Sequence, residues 1–288
     1  MMLADNRKAT VQETYDCEAG RYKTASTMQL FNLTRLLSLA DASMRQIQPR
    51  KILDVGCGLG PAAAALKDRG FLQGAEYLGI DLSPQMIALA KEAHESERVK
   101  FAVGDAEALD VPDASQDLVL SNVALHWLNQ PKFGITPAKA FSEIFRVLRP
   151  GGVFAVSTPA IGKAGKFLKV YRSVLDGYRN TSGFDDSQYV DDPVNCLHLH
   201  ELVDLALDAK FQVELGQLYY QPQTFADAQD YLVAARAYGY TSFMAPIAPE
   251  LKEKVWAEVS DKFAGTIGSG PYLHDLYIAY AVARKPSA

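Results

Sequence analysis

The stretch ILDVGCGLGPAAAAL, residues 52–66, carries a short aliphatic run into Gly56, Gly58 and Gly60 and then into an alanine-rich segment. The run ILDV, bounded by glycine, reads as a buried strand, and the alanines read as the opening of a helix. Glycine lets a backbone turn tightly and approach a ligand closely, while a helix start presents free N–H groups. A ligand with a polar or charged part is therefore expected where this strand ends.

Outward from this unit the same alternation continues. YLGID, PQMIALAKEAH, VKFAVGD, LVLSNV, AFSEIFRVLR and GVFAVSTP follow in order, short apolar runs and helical patterns taking turns. That texture predicts an α/β fold with a doubly wound, mostly parallel sheet covered by helices on both faces. Upstream, residues 8–45 place Leu30, Leu33, Leu36, Leu37 and Leu39 at helical spacing before Pro49, which predicts an N-terminal helical arm over residues 1–48. After Pro159 the alternation stops, and 11 of the 14 tyrosines lie beyond it. Helices are expected around 166–180 and 226–240 and over PELKEKVWAEVSDKFAG. HELVDLALDAKFQVELGQLYY reads as a helix then a strand, and LYIAYAVARK as a final strand. The expected organisation is one domain over 49–288, with helical cap segments inserted at about 160–195 and 222–270.

Composition removes several function classes. The 288 residues are 48% hydrophobic and 22% charged, enough for a substantial core. Twenty-nine basic against 34 acidic residues leave a net charge of −5, and no window gathers Lys and Arg into a stripe, which argues against nucleic acid. No apolar run approaches the roughly 18 residues of a membrane span, and MMLADNRKATVQETYD is too polar for a signal peptide, so a cytoplasmic location is expected. Cys17, Cys57 and Cys196 are odd in number and far apart, suggesting neither disulfide nor zinc.

The carboxylates around the glycine loop narrow the ligand. Asp81 ends YLGID, 21 positions beyond Gly60, where an acidic side chain can accept both hydroxyls of a ribose or cap the next helix. Asp105 ends VKFAVGD and is placed to accept from an adenine amino group, with the Ala106 N–H serving a ring nitrogen. A dinucleotide fingerprint wants G-x-G-x-x-G/A, but Pro61 follows Gly60 and the glycines read G-x-G-x-G. Asp54 adds a negative charge two residues before Gly56, which suits a cationic amino-acid group better than a pyrophosphate. Both features disfavour a nicotinamide oxidoreductase and point to S-adenosylmethionine.

LDVGCGLG, GIDLSPQMIALAKE, GDAEALDVPDASQDLVLSNVALHWL and EIFRVLRPGGVFAVSTP together resemble, in order and spacing, the motifs of the class I S-adenosylmethionine-dependent methyltransferases over roughly residues 50–160. The resemblance implies a Rossmann-like methyltransferase fold with S-adenosylmethionine as cofactor. It implies that Asp54 and the Gly56, Gly58 and Gly60 backbone hold the methionine end and that Asp81 holds the ribose. Leu82 and Met86 would pack on the adenine, Asp105 with Ala106 would read its edge, and Asn122 would be a further cofactor-binding residue. The ALHWLNQP stretch is similar to the branch that includes malonyl-carrier-protein and trans-aconitate methyltransferases and the complex I assembly factors. In this family the arm often folds over the cofactor, so Tyr15 and Tyr22 in YDCEAGRY are expected at the cofactor or acceptor, with Arg21 free to pair with a carboxylate.

On the acceptor side, methyl transfer from a sulfonium relies on alignment and exclusion of water. His126, just past LVLSNV, is the expected catalytic residue, either as a base or, more simply, as a histidine packed beside Trp127. The tyrosine-rich later segments suit a small-molecule acceptor, with Tyr171, Tyr178, Tyr231, Tyr238 and Tyr240 the candidates. The pairs Asp185-Asp186 and Asp191-Asp192 read as a solvated loop, and HLHE at 198–201 lacks a third ligand, so no metal is assigned. A monomer or homodimer is expected, and a same-fold assembly factor or modifier acting on a protein partner is the alternative.

Overall fold

The computed structural model describes residues 2–25, 27–161, 165–190 and 195–287, without the side chains of 2–6, 18, 21–25, 27 and 161. Two helices open the chain, α1 (Met2–Ala25) and α2 (Thr27–Ile47). The alternating region follows as β1 (Lys51–Val55), α3 (Pro61–Asp68), β2 (Glu76–Asp81), α4 (Pro84–His94), β3 (Val99–Val103), β4 (Gln116–Asn122), α5 (Ala138–Val147) and β5 (Leu148–Ile161). Next come α6 (Lys166–Tyr178), α7 (Leu199–Asp208), β6 (Gln212–Tyr220), β7 (Gln223–Phe225), α8 (Ala228–Ala237), α9 (Lys252–Ile267), β8 (Tyr272–His274) and β9 (Tyr277–Arg284).

Seven strands form one sheet in the order β3-β2-β1-β4-β5-β9-β6. β1 to β5 pair in parallel, while β9 runs antiparallel between β5 and β6. β1 is buried at every residue after Lys51 and β4 is buried up to Ser121, because helices cover both faces of the sheet centre. β6 alternates exposed and half-buried residues, as an edge strand does. Order reverses between β1 and β4, and a doubly wound sheet binds ligands beyond the strands' carboxyl ends at such a point.

Local chemistry sets the helix starts. Pro61 stands at the first turn of α3 after Gly60, whose φ of 76° is a left-handed conformation. Ser83, not Asp81, caps α4: its Oγ accepts from the Met86 N–H at 3.1 Å. Leu33, Leu36 and Leu37 of α2 are buried in the core with Ala40 and Met44, whereas Leu30 is 46% exposed at the end of that stripe. α6, α8, α9 and the small β7–β8 sheet pack around an aromatic cluster, continuous with the core under α2, in which Phe167, Tyr231, Phe263 and Tyr272 meet ring to ring.

Candidate active site

The carboxyl ends of β1 to β4 open into a cavity. Gly56, Gly58, Asp81, Leu82, Met86, Asp105, Ala106 and Asn122 line it, gathering residues that lie up to 66 positions apart (122 − 56) onto one surface. The roof is α1: Lys8, Val11, Gln12 and Tyr15 recur at helical spacing and face the cavity together. A smaller cavity on the far side of the glycine loop shares Gly56, Gly58 and Asn122 with the first and adds Asp54.

The glycines differ in what they do. A Cβ at Gly58 (φ +52) would meet nothing within 4 Å, so this residue leaves its space to the cavity. At Gly56 a Cβ would run into the Ala124 side chain, and at Gly60 it would come within 2.7 Å of the Phe101 ring. Gly60 lines neither cavity; it lets α3 pack onto β3. Asp81 holds the loop itself, accepting from the Gly58 N–H at 2.9 Å and the Ser83 N–H at 3.0 Å.

Asp54 is buried, accepts from the Tyr77 hydroxyl at 2.6 Å, and is pushed up to about 7 by burial, against the pull of Tyr77 and with Asp81 adding to the rise. A cation brought beside it would favour its charged form. Asp105 accepts from Lys8 Nζ at 2.7 Å and from the Glu107 N–H at 2.9 Å, and a carboxylate's four lone-pair sites leave capacity for another donor. Asp16 fixes the arm at the α4 N-terminus, accepting from the Ser83 hydroxyl and the Gln85 N–H. Asn122 is tied down by the Gln29 carbonyl at 3.0 Å and the Ser157 hydroxyl at 2.8 Å.

One wall of the large cavity is shared with a third. Tyr15, Val123 and Trp127 line both, and the Trp127 indole N–H donates to the Tyr15 hydroxyl at 3.0 Å. Val123 is held at φ +54, a strained position for a β-branched side chain, and its N–H donates to the Ser157 carbonyl at 2.9 Å. His126 lies behind this wall, in the third cavity, together with Tyr238 and Tyr240. It does pack on Trp127, ring centroids 4.8 Å apart, yet its Nδ1 is buried without a partner.

Other candidates fall elsewhere. Tyr171 donates to the Phe243 carbonyl, Tyr231 belongs to the aromatic core, and Tyr178 bonds Glu258 at the surface. Asp185 caps a short turn and Asp186 faces Arg179 at 3.4 Å. Asp191, Asp192 and the Arg21 and Tyr22 side chains lie outside the described residues. HLHE starts α7, where the His198 N–H donates to Glu201 at 2.7 Å. Among the described residues no three His, Cys, Asp or Glu side chains are grouped to hold a metal, and no helix is long and apolar enough to cross a membrane. The sequence pattern carried no signal for Gln29 or His274, which the fold brings to the third cavity from α2 and β8.

Comparison with known proteins identifies the family and the fold. A family model described as a methyltransferase domain matches residues 53–156, the stretch from β1 to β5 that builds the cavity floor. A malonyl-[acyl-carrier protein] O-methyltransferase of Pectobacterium atrosepticum is 30% identical over 191 residues, 66% of this chain and 69% of that enzyme. The chain belongs to the class I S-adenosylmethionine-dependent methyltransferases. The enzyme of the same name from Hahella chejuensis is 36% identical over 183 residues, 64% of this chain, and the match spans only 61% of that relative's length. Among solved structures, the YcgJ protein of Bacillus subtilis superposes with a TM-score of 0.53 at 19% identity, covering 86% of this chain and 100% of its own. The [4+2]-cyclase SpnF does so at 0.51 and 22%, covering 87% and 81%, so this methyltransferase shares its architecture with a protein named for another reaction. Family membership does not favour a nicotinamide oxidoreductase or an assembly factor.

Proposed function

We propose that this methyltransferase binds S-adenosylmethionine under α1, in the cavities that flank the glycine loop, and methylates a small acceptor in the neighbouring cavity that Tyr15, Val123 and Trp127 also line. The observation that carries this is the convergence of Gly58, Asp81, Met86 and Asp105 on one enclosed surface at the sheet's switch point. The donor set fits the cofactor. Asp81 would hold the ribose, Leu82, Met86 and Ala106 would offer an apolar slot for adenine with Asp105 at its edge, and Asp54 would answer the methionine ammonium. When bound, the cofactor supplies a methyl group on positively charged sulfur. The chain supplies alignment and dryness: α1 covers the cavity, and Tyr15, Val123 and Trp127 border both it and the acceptor cavity, so the acceptor would meet the methyl group directly beside these three side chains. His126 is the proposed catalytic residue, a neutral imidazole whose Nδ1 is available to the acceptor's protic group.

A carrier-bound acceptor is the second reading, favoured by the names of the relatives above. Titration calorimetry with S-adenosylmethionine and S-adenosylhomocysteine tests the main one. Both should bind, and Asp81→Ala should weaken binding by about 1–3 kcal/mol through lost charge-assisted hydrogen bonds. No binding of either compound would overturn the proposal.

A further inference from the structure

The cavity behind the Tyr15–Trp127 wall holds polar groups that the fold leaves unanswered. His126 Nδ1, His274 Nδ1 and Gln29 Oε1 are each buried without a hydrogen-bond partner, and all three side chains line this one cavity. They arrive from separate elements: α2, the turn after β4, and the end of β8. His126 is only 5% and Gln29 only 7% exposed, so both are withdrawn from bulk solvent and turned to the cavity. Buried polar atoms are nearly always paired, and unpaired ones that converge on a cavity mark where a ligand supplies the partner. The remaining lining is apolar and ring-rich, with Tyr238, Tyr240 and Phe243 facing Trp127. Burial holds both imidazoles far below their usual range, His126 at about 3 and His274 at about 4, so each offers hydrogen bonding without charge.

Building on the methyltransferase reading, we propose that this cavity is the acceptor site and that it selects an uncharged acceptor with a ring-sized apolar body and at least two hydrogen-bonding groups, held by His126, His274 and Gln29. Gln29 Oε1 takes a hydrogen bond from the acceptor, and each Nδ1 gives or takes one according to its tautomer. The ring body stacks among the aromatic walls. A carboxylate would be buried against neutral imidazoles and an amide oxygen, with its charge uncompensated by these three groups.

The test is titration calorimetry of the full chain saturated with S-adenosylhomocysteine, using catechol, phenol and benzoate as probes of equal ring size. Catechol should bind most tightly, phenol several-fold more weakly, and benzoate at least tenfold more weakly than catechol. His126→Asn and His274→Asn should each weaken catechol at least fivefold, while S-adenosylhomocysteine affinity, read in the cavity neither residue lines, stays within twofold. Benzoate binding as tightly as catechol, or no binding of any probe by the loaded protein, would contradict the inference, and the comparison on the native chain needs no variant to fold. Failure of S-adenosylhomocysteine itself to bind is a different result, which overturns the cofactor proposal and takes this inference with it.

Discussion

Gly56, Gly58 and Gly60 all have positive φ, at 73°, 52° and 76°, yet their surroundings separate their roles. Gly58→Ala puts a methyl group into the proposed cofactor space and a non-glycine residue into left-handed backbone, a strain of roughly 1–2 kcal/mol. It should lower the melting temperature by a few degrees and weaken S-adenosylhomocysteine at least tenfold. Gly56→Ala drives its methyl into Ala124 and should cost the fold more, about 2–4 kcal/mol, as overpacking adds to the backbone strain. Thermal melts paired with calorimetry separate the two, and equal ligand loss at equal stability would count against the assignment. Asp54 makes a pH prediction of definite sign. Its pKa is raised from about 3.9 in the unfolded chain to about 7 in the folded one. The stability tied to its neutral form is therefore fully present below about pH 4 and is lost as pH rises through 7. A cofactor cation beside it favours the carboxylate, so binding should release up to one proton and tighten between about pH 6 and 8. Calorimetry in buffers of different ionisation enthalpy reads that proton, and Asp54→Asn should abolish the release.

At the scale of elements, how much was legible depends on whether a segment's partners lie close along the chain. β1 to β5 and the helices between them show in the alternation of apolar runs, because each strand buries both faces and each crossover covers its neighbour. The glycines and the aspartates at the strand ends show for the same reason: the motif sits where the strand stops. The cofactor-facing side of α1 does not, since Lys8, Val11, Gln12 and Tyr15 mix charge, polarity and apolar surface and only the sheet beneath them explains the set. Asp81 was legible as an acid near the loop but not as the clamp on Gly58, and the capping role it might have had goes to Ser83. His274 was illegible altogether, since it joins the cavity that His126 lines from 148 residues further along the chain (274 − 126), by the return of β8 beside β7. The tyrosines divide by the same rule: helical spacing marks all of them as core, and only tertiary packing sends Tyr238 and Tyr240, and not Tyr171 or Tyr231, to the acceptor side.

Across the whole molecule, two compartments meet at one wall. The residues of the proposed cofactor cavity come from the parallel half of the sheet and from α1, whereas the proposed acceptor cavity is completed by the chain beyond β5. This division fits a family in which a shared cofactor floor serves many acceptors, because the matched methyltransferase region ends at residue 156, before the segments that bring Tyr238, Tyr240 and His274. The net charge of −5 suits a cationic cofactor beside a glycine loop with Asp54 in the cavity on one side and Asp81 and Asp105 in the cavity on the other. Amide hydrogen exchange with and without S-adenosylhomocysteine tests that arrangement most directly. The account predicts slowed exchange together in residues 8–16, 56–60, 81–86 and 104–107, with β6 and α9 unchanged. Protection confined to the cap helices, or absent from α1 and the glycine loop while the ligand is bound, would contradict it.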